Sequence, residues 1–157
     1  MTDYLKNILN YLTIKYQGRV ITPAENHLFK VNKTTRKLSK KCTQAFHTIL
    51  AKLVFLCKQV RPDILTRVAF LTTQVREPDK DNNKKLSRIL KYLIGTRDHV
   101  LTLESDGTGR VKWWLDAAFA IHHDMKSHTG RMIYMGQGAL YSAPNKQKLN
   151  TKSSTEA

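Results

Sequence analysis

The ten residues "VKWWLDAAFA", 111–120, set one carboxylate, Asp116, among Trp113, Trp114, Leu115, Ala117, Ala118 and Phe119. The aromatic and apolar content reads as a β-strand. A buried, ionised carboxylate is costly unless it is paired, hydrogen-bonded or bound to a metal. Two readings follow. Asp116 ends a strand and points at water, or it is an acid held at a metal site. The residues on either side bear on the choice.

Downstream of Asp116 the pattern stays β-like. "GRMIYMG" and "GALYSA" read as a hairpin joined near Gly136-Gln137-Gly138. Upstream, "HVLTLE" alternates and "SDGTG" signals a turn. The chain closes with "TKSSTEA", which opens like a capped helix: Ser153 or Ser154 can cap, and Glu156 falls in the first turn. The order is strand with aspartate, loop, hairpin, then helix start with glutamate. A helix packed against the strand would bring Asp116 and Glu156 together, and paired carboxylates bind magnesium through oxygen. Two such ions can activate water and stabilise the leaving oxygen in phosphodiester cleavage.

Before residue 98 the period changes. Cys42, Ala45, Phe46, Ile49, Leu50, Leu53, Val54 and Cys57 recur at spacings of three and four, one face of a helix. "RPD" at 61–63 breaks it, with Pro62 suited to a first turn. Ile64, Leu65, Val68, Ala69, Leu71 and Val75 form a second stripe. Leu86, Ile89, Leu90 and Leu93 form a third, with Lys84, Lys85, Arg88 and Lys91 on other faces. Asp79 or Asp81 can cap that third helix, and Gly95 stands where a left-handed terminator is expected. Three helices with short breaks make a small bundle. The stripes are core packing.

The first 41 residues are polar and irregular apart from one amphipathic piece, Leu5, Ile8, Leu9 and Leu12. They include the turn-like "YQGR" and "ITPAENHLF" and end in the basic run "KVNKTTRKLSKK". Lys30, Lys33, Arg36, Lys37, Lys40 and Lys41 there form a solvated loop or a phosphate-contacting segment. The organisation read from these patterns is 1–41 irregular and basic, 42–97 helical, and 98–157 β-rich: an α+β fold.

Across its 157 residues the chain carries Lys+Arg 27 against Asp+Glu 12, a formal net of +15. That excess favours a polyanion, and nucleic acid is the usual one. Arg36, Lys37, Lys40, Lys41, Lys84, Lys85 and Arg88 are the candidate contacts. No apolar run approaches the roughly 18 residues of a membrane span, and the N-terminus lacks the features of a signal peptide. The two cysteines, Cys42 and Cys57, read as reduced, mostly buried thiols. The expectation is an intracellular protein, cytoplasmic or nuclear. "HHDMKSH" offers His122, His123, Asp124 and His128, but with no cysteine pair it reads as a solvated loop rather than a zinc site.

Five segments carry a family resemblance: "TPAENHLF", "FHTILAKLVFLCKQVRPDILTRVAFLTTQV", "RILKYLIGTRD", "WWLDAAFAIHHDMKSHTG" and "KQKLNTKSSTEA". In this order the chain resembles copia-type retrotransposon polyproteins. The matching stretch is the C-terminal (thumb and connection) region of the reverse transcriptase running into the start of the RNase H domain. The resemblance implies a helical bundle followed by a truncated RNase H-like sheet: a three-stranded antiparallel part and the start of a helix. It implies that Asp116 and Glu156 are RNase H acids and metal ligands, with Mg2+ as cofactor of the intact parent. That parent would copy RNA into DNA and cleave RNA in RNA–DNA hybrids. The family's Tyr-x-Asp-Asp tetrad does not occur here, and two further RNase H aspartates would follow Ala157. The chain alone is therefore expected to be an inactive fragment whose partners are nucleic acid and the remainder of the polyprotein. A non-catalytic, basic nucleic-acid-binding fragment or a decayed element remnant is the rival reading.

Overall fold

The computed structural model of the chain describes Tyr4 and residues 6–8, 18–32 and 34–156. The expected positions Leu5, Leu9, Leu12 and Lys33 and the start of "YQGR" lie outside the described residues. The fold is α+β. Helices α1 (Lys40–Gln59), α2 (Leu65–Thr72) and α3 (Lys80–Gly95) precede strands β1 (Glu104–Ser105), β2 (Lys112–Ala118), β3 (His128–Tyr134), β4 (Gly136–Gln137) and β5 (Tyr141–Lys146).

The helices begin where the chain supplies caps. The Ser39 hydroxyl accepts from the Cys42 amide at α1, and the Asp79 carboxylate accepts from the Asn82 amide at 2.8 Å at α3. The two caps are tied together. Leu38 N–H donates to Pro78 O and Lys80 N–H to Arg36 O, both at 3.0 Å. Pro62 opens the short 3-10 turn Pro62–Ile64 that redirects the chain into α2. Gly95 departs from its expected role. It is the last helical residue, is not among the positive-φ glycines, and has Arg19 Cβ within contact reach of its α-carbon face.

The core lies in the helical part. Leu53, Leu56, Ile64, Leu71, Leu86, Ile89, Leu90 and Leu93 are completely buried, and Phe46, Phe70 and Ile8 nearly so. Each such side chain contributes about 1.5–3 kcal/mol relative to an exposed one. Cys57 joins this cluster, and its burial pushes the thiol up to about 11. Cys42, expected inside, is exposed.

Arg61 closes the bundle. It is 2% exposed. Its guanidinium donates twice to Asp63, at 2.8 and 3.0 Å, and twice to Thr96, to the carbonyl at 2.9 Å and the hydroxyl at 2.7 Å. It also lies 5.5 Å from the Tyr92 ring centroid. A buried cation with these acceptors links the end of α1 to the end of α3.

The larger sheet is antiparallel, in the order β2-β3-β5. Asp116 stands opposite Gly130 and Trp114 opposite Met132. The β3–β5 hairpin is interrupted by β4, which pairs with β1 through Glu104↔Gln137 and Ser105↔Gly136. Of "HVLTLE", only Glu104 is in strand. A Cβ at Gly136 would run into the Glu104 carbonyl, and one at Gly138 (φ +75°) into the Thr102 carbonyl. Glycine is required where the excursion passes so close to β1. Helix α2 packs against β5, which places the sheet beside the bundle. At the chain's end "STE" forms a 3-10 turn, Ser154–Glu156.

Candidate functional site

Asp116 lies in the middle of β2 and is exposed. Its Oδ1 accepts from the Ala117 amide at 2.9 Å. It borders a shallow depression of about 290 Å³ between the start of α2 and the sheet, walled by Pro62, Leu65, Trp114 and Met132. The local sequence is therefore not a buried carboxylate in an apolar run. Trp113, Trp114 and Leu115 are 62, 66 and 71% exposed. Glu156 falls in the terminal 3-10 turn. Among the described residues no group of three His, Cys, Asp or Glu side chains could hold a metal ion. One exposed carboxylate supplies a small part of the roughly six oxygen ligands that magnesium takes, so Asp116 by itself does not hold the ion.

The basic candidates fall in two places. Arg36, Lys37, Lys40 and Lys41 are exposed around the start of α1. Of these, Lys37 is engaged: it lies 3.5 Å from the Glu77 carboxylate and donates to the Glu77 carbonyl at 3.0 Å. An exposed pair of this kind is worth little and leaves the lysine available. Lys84 is exposed on α3. Lys85 and Arg88, expected on an open face, are spent within the molecule. Lys85 pairs with Asp81 at 2.9 Å, donates to Lys30 O and sits 5.0 Å over the Phe70 ring. Arg88 pairs with Glu25 at 2.8 Å and donates to the Thr22 hydroxyl.

These contacts line a depression of about 540 Å³ between the 20–28 segment and the polar face of α3. Arg67, Lys84, Lys85, Arg88 and Lys91 border it, against Glu25 and Asp81. The Nε atoms of Arg67 and Arg88 are buried without a hydrogen-bond partner. Five cations against two carboxylates leave this depression with an excess of positive charge.

A third cluster lies in "HHDMKSH", which the sequence reads as a solvated loop. His122 and His128 are 4 and 7% exposed, and His122 Nε2 lies 3.1 Å from His128 Nδ1. Phe29 packs edge-on against His122 and Phe70, and the Phe70 ring stacks on His122. The loop expected to be solvated is thus the joint between sheet and bundle. Burial, then Lys146 and His128, pull the His122 imidazole down from 6.5 to about 4. Burial lowers His128 as well. Lys146 in turn pairs with Asp124 at 2.7 Å. No local signal marks this joint, because the partners Phe29 and Phe70 lie 93 and 52 residues before His122.

Known proteins resemble half of this chain. The retrovirus-related Pol polyprotein from transposon RE2 of Arabidopsis thaliana is 36% identical over 81 residues. That from transposon RE1 of the same plant is 35% identical, also over 81. Each match takes 51% of this chain and only 6% of the polyprotein. No family model matches the chain, and no solved structure matches it. The similarity supports a retrotransposon polyprotein as the source of this sequence.

Proposed function

We propose that the chain is a segment of a copia-type retroelement Pol polyprotein, running from the thumb and connection region of the reverse transcriptase into the beginning of the RNase H domain. Its own activity is to hold nucleic acid through phosphate contacts without catalysis. The parent copies RNA into DNA and cleaves RNA in RNA–DNA hybrids, a role exercised inside the cell, in cytoplasm or nucleus. Two observations support the assignment: the similarity to Pol polyproteins, and an antiparallel β2-β3-β5 sheet with Asp116 midway along its first strand. In the parent Asp116 and Glu156 would stand among the acids that hold Mg2+, an ion that would supply activation of water there.

The observation that carries the binding reading is the pairing of a +15 chain with exposed cations that have no ion-pair partner among the described residues. Arg36, Lys40 and Lys41 lie at the start of α1 and Lys84 on α3, beside the cationic depression. Such cations displace condensed counterions from the phosphates, so binding is sequence-independent and falls with salt. Lys85 and Arg88 contribute only by exchanging Asp81 and Glu25 for phosphate.

A labelled RNA–DNA hybrid incubated with the chain and magnesium tests both halves. Bound but intact hybrid is the expected result. Cleavage that disappears in Asp116→Asn would overturn the non-catalytic part, and absence of binding at low salt would overturn the rest.

A further inference from the structure

We propose that the depression between the 20–28 segment and α3 takes backbone phosphates of nucleic acid, and that the Glu25 carboxylate now holds the place of one of them on Arg88. The inference rests on the binding reading above and names the contact that limits it.

Position supplies the first argument. Lys84, Arg88 and Lys91 follow one another at spacings of four and three along α3, so they share one face. All three border the depression. At 1.5 Å of rise per residue the row is about 10 Å long, which suits a run of backbone phosphates better than a single small anion. Arg88 stands in its middle. Its Nη1 donates to Glu25 Oε1 at 2.8 Å and its Nη2 to the Thr22 hydroxyl at 3.1 Å. The two N–H groups that a guanidinium offers to phosphate as a fork are thus divided between a carboxylate and a hydroxyl.

The two carboxylates at the depression differ in what holds them. Asp81 lies on α3 itself, four residues before its partner Lys85. Lys85 is held further by the Lys30 carbonyl and the Phe70 ring, so that pair is fixed from three sides. Glu25 instead reaches across from another segment. Its side chain is half exposed, and its second oxygen already lies 3.1 Å from His27 Nε2. Turning Arg88 to a phosphate therefore gives up one partly exposed ion pair, which is worth little in water. The carboxylate keeps His27 and solvent. Leu28, buried in the core, anchors the segment, so the exchange is a movement of side chains. Glu25 acts as a built-in competitor for phosphate.

Fluorescence anisotropy of the full chain with an RNA–DNA hybrid at low salt tests this. Glu25→Gln keeps the shape and an acceptor but removes the charge. It should tighten binding by about threefold and steepen the slope of log affinity against log salt by about one. Glu104→Gln, on β1 and outside the depression, changes the net charge equally and should leave the slope as it is. Arg88→Gln should cost more affinity in the Glu25→Gln chain than in the natural one, whereas simple addition of charges makes the two losses equal. The gain should be the same for hybrids with 5′-hydroxyl and with 5′-phosphate ends. The inference is overturned by a Glu25→Gln chain that binds no tighter, by an equal gain and steeper slope from Glu104→Gln, by equal losses on Arg88→Gln in the two backgrounds, or by a gain confined to phosphorylated ends. If neither the natural chain nor any variant binds, the binding reading falls and the inference with it; binding without the gain overturns the inference alone.

Discussion

Mild acid should open the joint between sheet and bundle before it unfolds the bundle. The His122–His128 contact at 3.1 Å needs one neutral nitrogen as acceptor. Protonating both rings turns that contact into two donors facing each other, between Phe29 and Phe70. The sign follows from His122, which falls from 6.5 to about 4 on folding. The unfolded chain binds more protons between those values, so stability is present above about pH 6.5 and is lost as pH falls toward 4. The full move is worth about 3 kcal/mol, of which about 2 kcal/mol is lost by pH 5. His128, lowered by burial, adds in the same direction. Asp63, Asp106 and Asp124 do not blur this window. Asp63 and Asp124 are lowered from 3.8 against the effect of burial, by Arg61 and Lys146 respectively, and Asp106 is lowered by Lys112. Their contributions are lost only below about pH 4. Urea midpoints at pH 7 and pH 5 provide the assay, with hydrogen exchange at the His122 and Gln147 amides as the local readout. The midpoint should fall in the natural chain and not in His122→Phe/His128→Leu. A midpoint unchanged between the two pH values, or an equal fall in the double variant, would refute the reasoning.

Other substitutions probe the remaining parts. Leu53→Ala empties the centre of the bundle and should cost about 2–5 kcal/mol in urea unfolding. Arg61→Met strands Asp63 and the Thr96 acceptors and should cost about 3 kcal/mol, by the same measurement. Ala120 sits at φ +49°, a conformation glycine adopts without penalty, so Ala120→Gly should be neutral or raise the melting temperature slightly.

The helices were legible because the apolar stripes at 42–93 follow one period, and Ser39 and Asp79 supply caps at their starts. Phe70 and Leu56, both buried, fell outside the stripes, because a helix packed on more than one side buries residues off its main face. The hairpin was visible in "GRMIYMG" and "GALYSA", while the β1–β4 excursion was not, since it depends on two glycines meeting carbonyls 32 and 36 residues away. Asp116 drew notice as a carboxylate among apolar residues, but the inference of burial fails on a strand whose apolar neighbours are exposed. Arg61 read only as part of a helix break, and the His122 loop as solvated. Both owe their roles to long-range partners, Thr96 for one and Phe29 and Phe70 for the other. Lys85 and Arg88 show the converse: a basic helix face in sequence is partly consumed by Asp81 and Glu25 in the fold.

The central claim, that this chain holds nucleic acid through phosphate contacts at the start of α1 and along α3, is tested most directly by the salt dependence of its affinity for an RNA–DNA hybrid. Fluorescence anisotropy should give a steeply negative slope of log affinity against log salt. Reversing Arg36, Lys37, Lys40 and Lys41 to glutamate should weaken binding and flatten that slope by about 3 to 4, close to one per lost phosphate contact. An affinity indifferent to salt, or a slope unchanged by the four reversals, would contradict the account.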